Sequence, residues 1–523
     1  MVGYHAIILH AHLPFVRHPE HERFLEESWL FEAITECYLP LLEIMQGWER
    51  DGVPWALTIS ISPTLATMLR DPLLQARYYR RLNGLIELAE KEITRTHFER
   101  PLQELAKMYH KRWCGLRETW VACGRDIPGA LANFQKTGRL ELITCSATHA
   151  VLPLLNHESS IRAQVLVARD EHSGNFGAAP LGFWLPECAY KPGLEMTLGE
   201  AGLRWFVVEA HGLLCATPRP RFGVYAPVFT NAGVAAFGRD LESARQVWSR
   251  HEGYPGDFNY RDFYRDIGFD LDFEYLQPYL PSPGLRGYTG LKYYRITGPG
   301  RHKEPYNRQA ALQTARAHAQ HFLEARLAQT ERLAGVMERP PIVVSPFDAE
   351  LFGHWWYEGP EFLDYYVRAA AGYRKKLELI TPTEYLRRHP TQQMATPAAS
   401  SWGEQGYFKL WLNETNQWIF PHLQAAQKRM TELAVQFGNA GGLMERALRQ
   451  AGRELLLAQA SDWPFIMRTN TSPDYARRRV TDHLSRFNHL FEQLKQGHVD
   501  EGWLQDVESR DNLFAGLRTE YWR

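Results

Sequence analysis

Short apolar runs alternate with longer amphipathic segments along the first two thirds of the chain. Seven of these runs are rich in β-branched or aromatic residues and end in Pro, Gly or polar residues, which predicts β-strands. Several, such as AIIL, FVV and IVV, are entirely apolar, as expected for strands covered on both faces. The amphipathic segments between them predict helices, and this order is typical of βα units around a parallel sheet. The predicted strands cover residues 4–10, 55–62, 140–146, 182–185, 205–208, 234–237 and 341–346.

Three segments depart from this alternation and define the domain organisation. Residues 74–131 have a helical pattern too long for one crossover, which predicts a small helical insertion. Residues 239–340 are rich in Tyr, Gly, Pro and Asp, and connections of this length are usually functional lids or rims. The strand pattern ends near residue 390, so we expect a barrel domain over 1–390 and a C-terminal helical domain over 391–523.

Composition and charge narrow the class of protein. Hydrophobic residues make up 45% and charged residues 23% of the chain, close to the averages for folded globular proteins. The 59 Lys and Arg residues almost cancel the 60 Asp and Glu residues, so nucleic acid is not an expected partner. The first residues lack the basic flank of a signal peptide and the about 20 apolar residues of a membrane span. We therefore expect a cytoplasmic protein with no membrane contact.

Two carboxylates follow predicted strands at the positions where a parallel barrel carries its chemistry. Glu187 follows the fourth strand and Asp348 the seventh, each within two residues of a proline and surrounded by aromatic residues. Glycoside cleavage requires such a pair, one carboxylate as nucleophile and one as proton donor. Glu350 could replace Asp348, and either carboxylate could instead pair with an arginine.

Two histidines at the end of the first strand form a second candidate feature. His10 and His12 are two residues apart, so an extended strand points both to the same side. This spacing suits metal binding with His149, His354 or Asp348 as third ligand, contacts to sugar hydroxyls, or ordinary buried histidines. The motifs GxxxxGK[ST], HExxH and GxSxG are absent from the sequence, which removes support for nucleotide, zinc-protease and serine-hydrolase chemistry.

Five segments in order resemble the characteristic regions of glycoside hydrolase family 57. They are HAHLP at 10–14, ELITCSATHAVLPLL at 141–155, GFWLPECAY at 182–190, SPFDAELFGHWWYEGP at 345–360 and ASDWPF at 460–465. The WLPE and FDAELFGHWW strings are the most specific. The similarity extends from residue 4 to about residue 477 and is greatest to the 1,4-α-glucan branching enzymes of the family.

The resemblance implies a fold and an activity. The implied fold is α/β: an incomplete (β/α)7 barrel with a helical insertion and a C-terminal all-helical domain. The implied reaction is retaining transglycosylation that cleaves α-1,4 bonds and forms α-1,6 branches, with Glu187 as nucleophile and Asp348 as acid/base. It implies an α-glucan partner such as amylose or glycogen, no cofactor and no obligatory metal; we expect a monomer.

The resemblance also implies substrate contacts. Arg261 and Arg265 look like a polar rim of the family's type, although a surface ion-pair cluster with Asp262 and Asp266 explains them equally well. The expected glucan-binding residues are His10, His12, Trp29, His149, Arg261, Arg265, His354, Trp402, Trp411, Asp462 and Thr471.

One departure from the family pattern affects the expected products. Related branching enzymes often carry a loop between the fifth and sixth strands with a tyrosine that shields the glycosyl-enzyme. Here residues 227–240 are short and contain no tyrosine, so we expect more hydrolysis, because excluding water protects a reactive intermediate. An α-amylase or 4-α-glucanotransferase of the same family is the nearest alternative. A metal-dependent barrel hydrolase and a non-catalytic glucan-binding protein are more distant ones.

Overall fold

The computed structural model describes residues 3–249, 252–298, 300 and 302–523. All seven predicted strands are present, and three short strands that the sequence pattern missed join them: β6, β9 and β10. The missed strands have two or three residues, too few for a periodicity to register. In chain order the strands are β1 (Gly3–Ala11), β2 (Leu57–Ile61), β3 (Leu140–Cys145), β4 (Gly182–Trp184), β5 (Trp205–Val208), β6 (Val228–Phe229), β7 (Ala235–Gly238), β8 (Ile342–Asp348), β9 (Leu377–Leu379) and β10 (Gln393–Met394).

The strands form one sheet that curls into an incomplete barrel. Their order is β10-β6-β7-β5-β4-β3-β2-β1-β8, with β9 beside β1, and every pair is parallel except β6 with β7. Isolated contacts link the segment after β7 to β8: the Asp240 amide donates to the Val344 carbonyl at 2.9 Å, and the Ser345 hydroxyl donates to that of Ser243 at 2.6 Å. The predicted incomplete (β/α)7 barrel is confirmed. The last strand, β10 at 393–394, pairs with β6 and lies close to the position near residue 390 where the strand pattern was expected to end.

Helices cover the barrel and form the C-terminal region. The segment predicted as a helical insertion contains α4 to α6, and α16 to α20 occupy the C-terminal region. No helix within the described ranges is both long and apolar enough to cross a membrane. The helices are α1 (Glu27–Ala33), α2 (Leu39–Arg50), α3 (Pro63–Arg70), α4 (Pro72–Arg95), α5 (Arg100–Ala122), α6 (Ile127–Lys136), α7 (Glu158–Phe176), α8 (Leu194–Glu200), α9 (Ala210–Leu214), α10 (Leu241–Trp248), α11 (Ile267–Asp270), α12 (Phe273–Leu276), α13 (Arg308–Ala334), α14 (Gly359–Ala371), α15 (Pro382–Arg388), α16 (Ile419–Phe437), α17 (Gly442–Ala458), α18 (Asp462–Thr469), α19 (Pro473–Gln496) and α20 (Glu501–Arg510).

Helix starts follow local capping chemistry. Ser62 ends the β2 segment, and its hydroxyl accepts a hydrogen bond from the Leu65 amide at the start of α3. Asp71 caps α4 in the same way, with Pro72 at the first helical position, where its missing amide hydrogen costs nothing. The Ser62 cap places the start of α3 directly after the carboxyl end of β2.

The barrel interior is filled by alternate residues of the strands. Tyr4, Ala6 and Ile8 of β1 share one buried cluster with Ile342 and Val344 of β8. Because side chains alternate between the two faces of a strand, the same inner face continues to residues 10 and 348. The register pairs these two positions directly across β1 and β8. Strand geometry therefore brings two predicted site residues together at the carboxyl end of the barrel.

Candidate active site

Glu187 lies at the carboxyl end of β4 in an unusual backbone conformation. Its φ is 63° and that of Cys188 is 49°, both in the left-handed region that residues other than glycine seldom adopt. Trp402 holds the residue from two sides: its indole Nε1 donates to Glu187 Oε2 at 2.5 Å, and its amide donates to the Glu187 carbonyl at 2.9 Å. Strained backbone of this kind persists where the surroundings over-determine it, and it clusters at active sites.

Three histidines from two strand ends lie beside Glu187. The Nε2 atoms of His10 and His149 are 2.8 Å apart, and His149 Nδ1 is 3.9 Å from Glu187 Oε1. The rings of His12 and His149 stack with centroids 3.9 Å apart, while His10 stacks on Trp184 at 4.6 Å. The histidines thus form a layered stack that extends from the inner face of β1 to Glu187.

The C-terminal helical region completes this side of the site. Asp462, the first residue of α18, accepts from His12 Nε2 with both carboxylate oxygens at 3.2 Å. The neighbouring Ser461 hydroxyl hydrogen-bonds to His149 Nδ1 at 2.7 Å. Because helix N-termini favour negative charge, Asp462 is stabilised where it lies. Two adjacent residues of α18 and its cap therefore orient two of the three histidines.

Asp348 is the second carboxylate at the site, and it is free to react. It is partly exposed, and no hydrogen bond to its carboxylate is found among the described residues. Glu350, the alternative, is 8% exposed; its Oε1 accepts from the Tyr38 hydroxyl at 2.5 Å and from the His12 amide at 3.2 Å. The Glu350 carboxylate is therefore already hydrogen-bonded to Tyr38 and to the His12 amide, and Asp348 suits the role of acid/base better.

Burial and nearby charges shift the pKa values of both carboxyl groups. Burial raises the pKa of Glu187 to about 8, and repulsion from Asp348 adds to the increase, while the Trp402 hydrogen bond opposes it. Burial also raises the pKa of Asp348 to about 6, with Arg239 and His12 acting in the opposite direction. Between these values the two carboxyl groups together carry one proton, as a nucleophile with an acid/base partner requires.

The histidines nearest the carboxylates are uncharged. Burial lowers the pKa of His10 and of His149 well below the usual value, and the nearby His12 lowers both further. A neutral imidazole has one donor and one acceptor nitrogen. Both nitrogens of His10 have partners, Ser60 Oγ at 3.0 Å and His149 Nε2, so the protein itself satisfies this histidine.

Comparison with known proteins identifies the family. The sequence profile of glycosyl hydrolase family 57 matches residues 6–398, and a profile described as 1,4-alpha-glucan branching enzyme, C-terminal, matches residues 422–522. The chain belongs to glycosyl hydrolase family 57. The resemblance seen in the five sequence segments is thereby confirmed.

Proteins similar to this chain carry two different names. The chain is 33% identical to a 1,4-alpha-glucan branching enzyme of Thermococcus kodakarensis, covering 98% of this chain and 78% of that protein. The crystal structure of a branching enzyme from Pyrococcus horikoshii is 32% identical, with a TM-score of 0.90 and coverage of 100% and 97%. The crystal structure of the alpha-amylase AmyC from Thermotoga maritima is 42% identical, with a TM-score of 0.93 and coverage of 100% and 99%.

The three tryptophans that the family 57 resemblance singled out occupy different environments. Trp29 is partly exposed and meets the Tyr475 ring edge-on at 5.9 Å. Trp402 is 9% exposed and contacts Glu187. Trp411 is 1% exposed in the barrel core and offers no face to a ligand, so its predicted glucan contact is not supported by its position.

Arg261 is buried beneath the rim of the site. Its Nη2 donates to Glu36 Oε1 at 2.8 Å, and the guanidinium lies 3.7 Å from the centroid of the Tyr357 ring. Glu36 Oε2 also accepts from His354 Nδ1 at 2.8 Å. The alternative interpretation, a surface cluster of Arg261 with Asp262, is wrong, because the arginine is buried and pairs with Glu36 of a distant helical segment. The expected glucan contact of Arg261 remains a prediction. Arg261 and Glu36 position His354.

Arg265 and Thr471 lie farther out. Arg265 pairs with Asp270 at 2.9 Å rather than with Asp266, which instead accepts from backbone amides of its own loop. Thr471 is exposed, just beyond the C-terminal end of α18. Because Asp462 starts this eight-residue helix, about 12 Å of helix separates the two residues. Their expected glucan contacts remain predictions.

The connection between β5 and β7 differs from its predicted form. It spans residues 209–234 rather than 227–240, and it does contain a tyrosine, Tyr225. The Tyr225 carbonyl accepts from the Ile342 amide at 2.9 Å, at the amino end of β8. Asp348 is at the opposite end of that strand. The statement that the connection lacks a tyrosine was wrong, but this tyrosine is directed away from the candidate site.

Several site residues escaped the sequence interpretation. Ser60 and Ser62 hydrogen-bond to His10 Nδ1 and His12 Nδ1 at 3.0 and 2.8 Å. Their spacing of two residues at the end of β2 matches that of the histidines on β1 and could have indicated the pairing. Ser461 directly precedes Asp462, which the sequence analysis did identify. Trp184, which supports His10, carries no signal that separates it from core tryptophans.

One further group of side chains in the described chain is close enough to hold a metal. Ligand atoms of Glu454, His483 and Asp511 lie within 4.8 Å of one another. Arg486 pairs with Asp511 at 2.6 Å, and Arg479 Nη2 donates to His483 Nε2 at 3.1 Å. Burial lowers the pKa of His483 to about 3, so its neutral ring donates through Nδ1 to Glu454. The arginines balance the charge, and the group is an ion-pair network inside the C-terminal helices.

Proposed function

We propose that this protein is a 1,4-α-glucan branching enzyme that acts by double displacement. Glu187 attacks the anomeric carbon of an internal α-1,4 bond while Asp348 protonates the departing oxygen. A covalent glycosyl-enzyme and a shortened glucan result. The histidine stack borders the sugar in the reacting position, and the Asp462 carboxylate offers acceptor oxygens to its hydroxyl groups.

The second step transfers the enzyme-bound chain to another glucan. Asp348, now ionised, removes the proton from the 6-hydroxyl of the acceptor, whose oxygen attacks the anomeric carbon and displaces Glu187. Two inversions at one carbon retain the α configuration and create an α-1,6 branch. The resting pair with one proton supplies the correct charge for this cycle, whichever carboxyl group holds that proton in the empty site.

The observation that carries this proposal is the contact of Glu187 with Trp402 and His149, near enough to Asp348 to feel its charge, while the Asp348 carboxylate has no hydrogen-bond partner among the described residues. The indole donor stabilises an ionised Glu187 and fixes its direction. The names of the relatives from Thermococcus kodakarensis and Pyrococcus horikoshii support the branching reaction in particular.

Product analysis on amylose tests the proposal. After incubation, we expect new α-1,6 linkages that isoamylase hydrolyses, loss of iodine staining, and few new reducing ends. Glu187→Gln should lower turnover by roughly 10³-fold or more while glucan binding persists. Undiminished turnover in this variant would remove Glu187 from the mechanism, and transfer that forms only α-1,4 bonds would indicate a glucanotransferase.

An α-amylase is the second candidate, because the similar Thermotoga maritima structure carries that name. The chemistry is the same with water as acceptor. The only tyrosine of the β5–β7 connection is at the far end of the barrel, so this segment supplies no tyrosine to exclude water from the glycosyl-enzyme. We propose a hydrolysis share above that of relatives with a tyrosine-bearing loop at the site.

The ratio of new reducing ends to new α-1,6 linkages measures that share. The matched comparison is the Thermococcus kodakarensis relative on the same amylose. An equal or lower ratio in this protein would contradict the effect assigned to the connection. Reducing ends without any α-1,6 linkage would make the protein an amylase.

A further inference from the structure

A groove of about 420 Å³ opens beside Trp402, on the side away from the histidines. Glu209, His211, Arg239, Trp402 and Tyr407 contribute to its walls. Trp184 meets Trp402 edge-on at 5.3 Å and carries His10 on its own face, so the two tryptophans separate the histidine stack from the groove. None of the glucan-binding residues expected from the sequence, other than Trp402, belongs to it.

The polar groups of the groove are arranged as a fixed pair. Arg239 Nη1 donates to Glu209 Oε2 at 2.9 Å, and the guanidinium lies 5.4 Å from the Trp402 ring centroid. Arg239 is 8% exposed, yet its buried Nε has no hydrogen-bond partner. Protein atoms enclose Nε, but Nη2 is not enclosed and no hydrogen bond from it is found among the described residues, so Nη2 is the donor open to a ligand oxygen in the groove.

The aromatic wall is held by a tightly bonded turn. Tyr407 is 59% exposed and meets the His211 ring edge-on at 5.1 Å. His211 Nε2 donates to the Gly406 carbonyl at 3.0 Å, and the Ser401 amide donates to the same oxygen at 2.8 Å. A Cβ at Gly406 would lie 2.7 Å from His211, and its φ of 73° also favours glycine. The turn therefore presents a large, exposed aromatic ring from a fixed backbone.

An exposed ring beside a carboxylate and a guanidinium is suited to a hexose. The ring covers an apolar sugar face, and the two charged groups bond to adjacent hydroxyls. Transglycosylation needs two glucan chains at one catalytic pair, and the histidine stack occupies only one side of it. Arg239 also acts electrostatically on Asp348, the group that must activate the acceptor hydroxyl.

We propose that the groove lined by Arg239, Glu209 and Tyr407 is the binding site of the acceptor glucan chain. This inference rests on the proposed transfer reaction and assigns its second substrate. Loss of the site would let water capture more of the glycosyl-enzyme.

The test compares Tyr407→Ala with the wild type on amylose, with maltoheptaose added as acceptor over a range of concentrations. We expect the maltoheptaose concentration that gives half-maximal transfer to rise by about 2- to 10-fold, the range for loss of one aromatic contact. The ratio of transfer to hydrolysis should fall by a similar factor. Tyr407→Phe retains the ring and should restore both values.

Phe98→Ala serves as the matched control, because Phe98 is 96% exposed in the turn between α4 and α5, within the insertion. Wild-type acceptor dependence in Tyr407→Ala, or an equal change in Phe98→Ala, would overturn the assignment. If the wild type only hydrolyses amylose, the transfer proposal fails. Calorimetry of maltoheptaose binding then tests separately whether the groove binds a glucan. Equal maltoheptaose dissociation constants for Glu187→Gln and Glu187→Gln/Tyr407→Ala would then exclude a glucan there.

Discussion

Replacing Trp402 with Phe tests how the protein controls its catalytic pair. The substitution keeps an aromatic ring in the core but removes the indole N–H that donates to Glu187 Oε2 at 2.5 Å. A hydrogen bond to a charged group contributes about 1.5–3 kcal/mol. Its loss should raise the pKa of Glu187 by about 1 to 2 above the value of about 8 in the intact site.

This change has two kinetic consequences. The reactive form requires Glu187 ionised and Asp348 protonated, so destabilising the Glu187 carboxylate should lower kcat/KM by roughly 10- to 150-fold near neutral pH. Glu187 has the higher pKa of the two carboxyl groups, about 8, and therefore sets the basic limb of the pH profile. This limb should move to higher pH in the variant. The acid limb is set by the pKa of Asp348, about 6, and should not move.

The assay is kcat/KM on a soluble malto-oligosaccharide between pH 4 and about 10, the range that spans both pKa values. Trp411→Phe is the control, because Trp411 lies in the same core cluster, and its buried indole nitrogen has no partner to lose. An unchanged profile with kcat/KM within about twofold of wild type would refute the role of the hydrogen bond. Movement of the acid limb instead would reverse the order of the two pKa values.

Three further outcomes follow from the same structure. The pH profile of wild-type kcat/KM should be bell-shaped with its maximum between about pH 6 and 8. Below that range both carboxyl groups are protonated, and above it neither is. A flat profile would contradict a catalytic pair that carries one proton. Arg261→Met removes the arginine partner of the buried Glu36 and leaves only His354, so it should lower the free energy of unfolding by about 3–5 kcal/mol, measured from the urea midpoint. An unchanged midpoint would contradict this. Asp462→Asn removes the charge that orients His12 and should lower kcat/KM about tenfold without changing the urea midpoint. A shifted midpoint with normal kinetics would instead give Asp462 a purely structural role.

Strand positions and catalytic carboxylates were accessible from the sequence because both depend on local pattern. Apolar runs that end in polar residues marked all seven main strands, and the same ends carried Glu187 and Asp348. Alternation along β1 and β8 is enough to place residues 10 and 348 on one face. The resemblance to family 57 then supplied roles that pattern by itself left open.

Side-chain environments were not accessible in this way. Trp402 and Trp411 are nine residues apart in a segment without helix or strand periodicity, yet one bonds to Glu187 and the other is enclosed in the core. The sequence pattern placed Arg261 at the surface, but the residue is buried and pairs with Glu36, 225 positions earlier in the chain. Such partners are distant in sequence, so no local pattern predicts them.

The sequence by itself determined which residues end the strands and hence the edge of the sheet where chemistry can occur, because the two-residue period of a strand is a local property. Only the tertiary structure decided which polar groups meet there: Asp462 with His12, Trp402 with Glu187, and Arg239 with Glu209. These contacts arise when the barrel curls and the C-terminal helices pack against its rim, and the energy of each contact depends on burial that exists only in the folded chain.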